Sequence, residues 1–395
     1  SITVDESIAE DILATQADTA VVVGTVSDYL TAKGDAKLYN INLPAGVYLQ
    51  AQLTTPANAD LDYDLYLLDA EGNILTGSDY YTYINGTAGT LPEALGYITS
   101  GDTATYYLYV LASEGGSVSE SFTLDYSVST ACDSYEIDES VRQALAFTYG
   151  AGGAYIESRN LSSPIDNDWY VITVPSSRIY DKLKISATTA STNTCSVEVY
   201  QNVASEGYQM KRVGSGNTIS VSSGKYYIRV SNAKTMENFD DLDIQNYKLS
   251  ITPILKATGI VITDLKGSEG LNKVVNYPGY GAHFRTQGSG TLTVYGVLTA
   301  TDSSTGVTYA VGGEQINGLY YSPAWEANNT SANAIRRGTG TTDSSGKFEI
   351  DISLPPGIGV YSYYGSTSTH YFDICGVSVS PSDDSSISAS ETIFH

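Results

Sequence analysis

The densest run of side chains able to do chemistry is Asp60-Leu-Asp62-Tyr-Asp64, with Asp69 close behind. In an extended chain side chains alternate in direction, so Asp60, Asp62 and Asp64 share one side. Hard oxygen donors at this density suit Ca2+, which takes roughly six to eight of them. The run is not an EF-hand loop, because the central Gly and the distant bidentate Glu are absent. The competing reading makes Asp64 and Asp69 turn caps and leaves Asp60 and Asp62 solvated. Ca2+ is the one cofactor these residues suggest.

Other chemistries find little to work with. His283, His370 and His395 stand apart, and the chain has no His-x-x-x-His, Cys-x-x-Cys or Gly-x-Ser-x-Gly. Triads and zinc sites need several groups placed together, so no enzyme is expected. Of the three cysteines, Cys132 and Cys195 fall in one repeat and could pair in an oxidising compartment. Cys375, inside Phe372-Asp-Ile-Cys-Gly-Val, reads as a buried free thiol. Asn85, Asn160, Asn328 and Asn329 lie in Asn-x-Ser/Thr sequons and are glycosylation candidates in an exported chain.

The elements that position these residues come twice. Val4-Asp5-Glu6-Ser7-Ile8 returns as Ile137-Asp138-Glu139-Ser140-Val141, and Asp35 to Pro44 answers to Asp166 to Pro175. Tyr106 to Val110 matches Tyr226 to Val230, and Phe122-Thr-Leu matches Tyr247-Lys-Leu. Four blocks in one order mark a tandem duplication. Each copy opens with a helix-capping signal, Ser7 with Glu10 and Ser140 with Gln143, so one or two helical turns are expected there. Elsewhere the apolar period is two, as in Lys37 to Leu43 and Val47 to Leu53, with Pro44-Ala-Gly46 turning between them. Many short strands at this spacing indicate sandwiches.

Asp64-Leu-Tyr-Leu-Leu-Asp-Ala-Glu-Gly-Asn73, the Leu43-Pro-Ala-Gly46 turn and Tyr106-Tyr-Leu-Tyr-Val110 give the first copy a form that resembles the bacterial and archaeal pre-peptidase C-terminal domain. The second copy resembles it through Asp166-Asn-Asp-Trp-Tyr170 and Gly224 to Val230. The resemblance implies a jelly-roll-like sandwich on a secreted or surface protein, an appendage of proteases related to collagen-binding modules and without activity of its own. At Ser196-Val-Glu-Val-Tyr-Gln-Asn202 the second copy lacks the acidic run, so no metal site carries over to it on those residues. From Lys256 the chain resembles a bacterial immunoglobulin-like domain, through Thr342-Asp-x-x-Gly346-x-Phe348 and Leu354-Pro355.

The expected architecture is therefore all-β: three consecutive antiparallel β-sandwich domains, jelly-roll or Ig-like, with very little helix, at 1–130, 131–255 and 256–395. The third carries a Gly, Asn and aromatic-rich loop insertion near 311–340 and a strand-like tail at Ser386 to His395. The 33 tyrosines read mostly as sheet-packing residues, with clusters at Tyr80 to Tyr83, Tyr320-Tyr321 and Tyr361 to Tyr364 suited to contacts.

Net charge is −24, and residues 1–130 carry 18 acidic against 2 basic side chains. Such a surface repels phosphate backbones, so nucleic acid is not an expected partner. No apolar stretch is long enough for a membrane span. The start at Ser1, without Met or a signal segment, fits either a trimmed chain or one whose secretion signal has been removed. The leading functional expectation is a non-enzymatic structural subunit of an extracellular filament or cell-surface assembly, with the chain itself as partner through inter-subunit β contacts of its termini. The alternative is a secreted adhesion or binding module for collagen-like protein or glycan ligands, accessory to a secreted protease system.

Overall fold

The computed structural model describes residues 2–5, 21–58, 60–79, 81–84, 87–88, 91–189, 195–204, 207–215, 217–233, 236, 245–267, 271–277, 281–286, 290–321, 335–354 and 374–394. Among these the regular structure is all strand, in several mainly antiparallel sheets. Alternation drives it: from Lys347 to Leu354 every second residue is buried and every other one is exposed.

The chain divides into two compact units, residues Ser1–Ser176 with Lys182–Ile254, and Ser177–Asp181 with Leu255–His395. Both repeat copies lie in the first. Copy one is a sandwich of two sheets. One runs in the order β1 (Ile2–Asp5), β3 (Ala36–Leu43), β10 (Ala104–Glu114), β5 (Asp62–Leu68), β6 (Ile74–Ser78), and the other β2 (Val21–Asp28), β11 (Phe122–Ser129), β4 (Tyr48–Thr54), β9 (Glu93–Ile98). Between them Ile41, Leu49, Leu65, Leu67, Leu95, Leu108, Val110, Phe122 and Leu124 form a closed core.

Copy two repeats the plan. Its first sheet is β12 (Leu145–Ala146), β14 (Asn167–Val174), β19 (Gly224–Asn232), β16 (Cys195–Asn202), β17 (Gln209–Ser215), extended by β7 (Tyr81–Ile84) and β8 (Thr87–Ala88) from copy one. Its second is β13 (Ala154–Leu161), β20 (Gln245–Leu255), β15 (Tyr180–Thr189), β18 (Thr218–Ser220). The copies agree in register as well as in order: Leu108 faces Tyr39, and the equivalent Ile228 faces Tyr170.

The capping signal at Ser140 produces a turn rather than a helix. Gln143 N–H donates to Ser140 O at 2.9 Å, while Val141 packs with Trp169, Tyr200, Met210 and Leu91. The preceding stretch is held extended because Trp169 N–H donates to Asp138 O at 3.0 Å and Asn167 N–H to the Glu139 carboxylate at 3.0 Å. A helix there would forfeit both bonds. The equivalent signal at Ser7 lies outside the described residues.

The second unit packs two sheets. One comprises β21 (Gly259–Gly267), β24 (Gly290–Thr301) and β25 (Thr308–Ala310), with β28 (Lys347–Leu354) also on β24. The other is β22 (Leu271–Tyr277), β23 (Gly281–Thr286), β30 (Ala389–Phe394), β29 (Ile374–Pro381), β26 (Gln315–Tyr321), β27 (Ile335–Thr341). Much of the expected loop insertion is thus a strand pair, β26 against β27. Tyr320, read as a contact residue, is fully buried, and its hydroxyl lies 3.1 Å from the Cys375 thiol.

Both chain ends are used within the chain. β1 pairs with β3, and β30 pairs with β29 and β23. Of the two strands expected to join sheets in neighbouring subunits, β30 lies between β29 and β23, while β1 is the edge strand of its sheet and keeps one ladder side open.

Gly96 shows how closely the copies approach. A Cβ there would lie 2.6 Å from Tyr48 Oη, 2.7 Å from Glu139 Cγ and 2.8 Å from Ile137 Cγ2. Gly96→Ala is expected to cost about 1–3 kcal/mol by overpacking, measurable as a lower denaturation midpoint with an unchanged denaturant slope.

Candidate functional site

The four acidic residues of the first copy do not converge. Asp69 is the acceptor of its own turn, taking Asn73 N–H at 2.7 Å, Glu71 N–H at 3.0 Å and Asn73 Nδ2 at 2.9 Å. Asp60 is exposed ahead of β5, its N–H donating to Asn58 Oδ1. Asp62 and Asp64 lie on the outward face of β5, their Cα atoms spaced by the roughly 6.6 Å of two strand residues. Burial, then the charges of Asp64, Glu114 and Asp79, push Asp62 up to about 6.

The structure places two of the other expected sites, the Cys132–Cys195 pair and Asn160. Cys132 and Cys195 are free thiols, not a disulfide. Asn160 is a poor glycan acceptor because Nδ2 donates to Ala131 O at 2.9 Å from within a half-buried strand. Asn85, Asn328, Asn329, His370 and His395 lie outside the described residues, as does the His283 side chain.

The carboxylates that do converge lie at the start of copy two. Ligand oxygens of Glu136, Asp166 and Asp168 come within 4.8 Å of one another, and Asp133, Asp138 and Glu139 surround them. The local chain explains the gathering. Asp166 closes a four-residue turn by accepting from Ser162 N–H and, at 2.8 Å, Ser162 Oγ. Asp168 then points inward from β14, while the irregular stretch 133–139, which turns at Ser134 and Tyr135, lays Glu136, Asp138 and Glu139 alongside.

A bulge supplies the counter-charge. The pairing of β13 with β20 slips between Ile156 and Arg159, and Ser158 takes a φ of 62° in that bulge. The extra residue turns Arg159 into the interior, where it is fully buried. Its guanidinium donates to Asp133 at 2.7 Å and to Asp138, sits 3.1 Å from Asp168, and gives Nε–H to Tyr170 Oη at 2.7 Å. Tyr247 Oη donates to Asp168 and lies 2.5 Å from Tyr170 Oη.

One guanidinium does not balance six carboxyl groups. Glu136 Oε1, Asp138 Oδ1, Asp166 Oδ1, Asp168 Oδ1 and the amide oxygen of Gln50 are all buried without a donor. Burial, then the Asp166 charge, pushes Glu136 up to about 8. Asp138, Glu139, Asp166 and Asp168 are raised too, with burial the largest cause in each. Asp168 and Asp138 outweigh burial at Arg159 and hold it charged.

Buried lone pairs without donors fit a hard cation. Glu136, Asp166 and Asp168 would hold it, a set of oxygen ligands that suits Ca2+. The nearby Cys195 thiol is raised to about 12 by burial and Asp168, so it stays protonated and is a poor soft-metal ligand. Sequence reading missed this cluster because its members lie in two separate runs, Asp133 to Glu139 and Asp166-Asn-Asp168, which only strand packing brings together. The one signal available was the repeated Asp-Glu-Ser before a second acidic Asp166-x-Asp168.

Copy one carries the same corner with its charges exchanged. By register Asp28, opposite Phe122, takes the place of Arg159, opposite Tyr247, and Lys37 takes the place of Asp168. Lys37 pairs with Asp28, and Tyr39 Oη donates to Asp28 at 3.0 Å, as Tyr170 serves Arg159. Asp28 is held below the usual range by Lys37 despite its burial. An ammonium group supplies the positive charge there.

A second feature lies on the outward face of the β1–β3–β10–β5–β6 sheet. Tyr109 stands opposite Tyr66, with ring centroids 6.0 Å apart, and Tyr107 stands opposite Leu68. Gly77 lies opposite Tyr66, and a Cβ there would come 2.4 Å from its ring, so the ring lies flat over β6. All three tyrosines are half-buried. On the matching face of copy two, Trp169, Tyr200, Tyr227 and Met210 are sealed by Val141 and Leu91.

No family model matches the chain. An uncharacterized Bacillus subtilis (strain 168) protein, YlqB, is 35% identical over 71 residues, which are 18% of this chain and 44% of YlqB. The chain thus matches less than half the length of that relative. Solved structures with a likeness include an Aeromonas hydrophila periplasmic inhibitor of g-type lysozyme, PliG (9% identity, TM-score 0.22, 32% of this chain and 99% of that one). Another is the pre-peptidase C-terminal domain of a Bacillus anthracis collagenase (13% identity, TM-score 0.18, 27% and 88%).

Two outcomes follow from the carboxylate cluster. Arg159→Leu strands Asp133, Asp138 and Asp168 without their cation, and is expected to cost about 3–5 kcal/mol in denaturant unfolding. Glu136 keeps its proton to about pH 8 in the folded chain, against an ordinary value of about 4.3 unfolded. Between those values the folded state binds more protons, so its stability falls as pH rises. In a chelator the melting temperature is expected to drop from pH 5 to pH 8, and saturating Ca2+ should remove most of that drop.

Proposed function

We propose that this chain is an exported, non-enzymatic binding module, related to pre-peptidase C-terminal domains, in which copy one presents the ligand face and copy two is a calcium-stabilised support. The observation that carries the reading is the contrast between equivalent sheet faces. Tyr66, Tyr107 and Tyr109 remain half-buried on copy one, whereas the equivalent positions of copy two hold Glu198, Tyr227 and Arg229, with Tyr227 in the core and Arg229 paired to Glu198. A planar aromatic strip suits an extended polypeptide with little side-chain bulk, such as a proline-rich or collagen-like segment. The acidic border of Asp62, Asp64 and Asp79, on a copy with 18 acidic and 2 basic residues, favours a neutral or basic ligand over an acidic glycan.

Surface plasmon resonance with proline-rich and triple-helical peptides tests this. Tyr107→Ala and Tyr109→Ala are each expected to weaken binding by on the order of ten-fold or more, as aromatic anchors do, while leaving the melting temperature nearly unchanged. Binding to neutral glycans alone would replace the peptide ligand with a carbohydrate. Ordered filaments of purified chain with no binding of either class would replace the module reading with a structural subunit.

A further inference from the structure

The cation cluster belongs to copy two, yet copy one reaches into it. Tyr48 and Gln50, neighbours on the outward face of β4, are both almost fully buried. Tyr48 Oη lies 2.7 Å from Glu139 Oε1 and 2.9 Å from Glu136 Oε2, and Gln50 Nε2 donates to Glu139 Oε1 at 2.6 Å. Asn167 N–H takes the other Glu139 oxygen at 3.0 Å, so Glu139 is satisfied by three donors and is a bridge rather than a ligand. Gly96, on β9 beside β4, leaves the room in which Ile137 and Glu139 pass.

The donor count is short at one point. A tyrosine hydroxyl has one proton, and here it faces two carboxylates. When that proton serves Glu139, Glu136 Oε2 faces the hydroxyl oxygen as a second acceptor unless a proton or a cation sits on Glu136, and Oε1 has no amide, hydroxyl or guanidinium donor. A cation on Glu136, Asp166 and Asp168 relieves this conflict. The Gln50 amide oxygen, also buried without a donor, is a further atom of copy one in the same network.

We infer that Tyr48 and Gln50 of copy one are positioning residues for the calcium site of copy two, so that cation binding and the docking of the two copies are thermodynamically coupled. The inference rests on the calcium reading of the cluster. Coupling is reciprocal: whatever factor the docked β4 adds to calcium affinity, calcium adds to docking. The cation then acts as a clamp that fixes the ligand face of copy one to its support.

The test is calorimetric titration of CaCl2 into the full, chelator-stripped chain, in the wild type, Tyr48→Phe, Gln50→Met and, as a copy-one packing control, Ser127→Ala. Tyr48→Phe keeps the ring and removes only the hydroxyl, and Gln50→Met keeps the side-chain length, so the two variants check each other. Each is expected to weaken calcium binding by on the order of ten-fold, the loss typical of a hydrogen bond to a charged group. Ser127→Ala should bind as the wild type. Each weakened variant should also gain less in melting temperature from a given calcium concentration, which a purely local packing defect would not cause. Wild-type affinity in both Tyr48→Phe and Gln50→Met would overturn the coupling while leaving the calcium site standing. No calcium heat in the wild type would overturn both.

Discussion

The first unit depends on one electrostatic problem, the burial of six carboxyl groups around a single guanidinium at the entrance to copy two. Four of the six have a visible structural role: Asp166 closes a turn, Asp138 and Asp133 hold Arg159, and Glu139 ties the connecting stretch to β14 and β4. Together the six exceed what Arg159 can neutralise, and four of their oxygens are left without donors. A low-dielectric interior makes such an arrangement costly unless protons or a cation complete it. The backbone around it shows what the arrangement requires. A bulge with Ser158 at positive φ aims the arginine, and an extended stretch displaces the helix that its capping residues favour.

The duplication supplies an internal comparison. The two copies share strand order, register and the tyrosine at the ion pair, yet the pair is reversed, Asp28 with Lys37 against Arg159 with Asp168. Copy one closes that corner with its own ammonium group, and copy two gathers carboxylates there instead. A second divergence follows from the connecting stretch. By running across copy two it seals Trp169 and Tyr200 under Val141 and leaves the tyrosine face of copy one as the aromatic strip of the unit. One segment, residues 133–146, therefore builds the charged cluster, joins the copies and decides which copy presents an aromatic surface.

The second unit is simpler in its physics. Strands β24, β26 and β28 alternate, the core of Leu292, Val294, Ile316, Ile350, Ile352 and Val377 is apolar, and its polar exceptions are small, such as the Tyr320 hydroxyl near the Cys375 thiol. The outward face is a ladder of short polar contacts, with Thr293 on Asp351 and Tyr295 on Glu349.

Period-two alternation, Gly and Asp turns and the duplicated blocks determined from sequence alone that this is a multi-sheet β protein with two related copies at its start. Those features are local, and strand and turn formation answer to local pattern. The candidate site was legible only in outline. Asp60, Asp62, Asp64 and Asp69 looked like a metal site because they are close in sequence, but a strand holds its carboxylates parallel and a turn consumes one of them. Glu136, Asp166 and Asp168 are up to 32 positions apart and meet only because β14 and the connecting stretch lie side by side. Likewise Tyr48 and Gln50 reach Glu139 from about 90 residues away, and which tyrosines line a face and which fill a core depended on where Val141 lands. Convergence of distant side chains is a property of strand pairing and packing, so only the tertiary structure decided it.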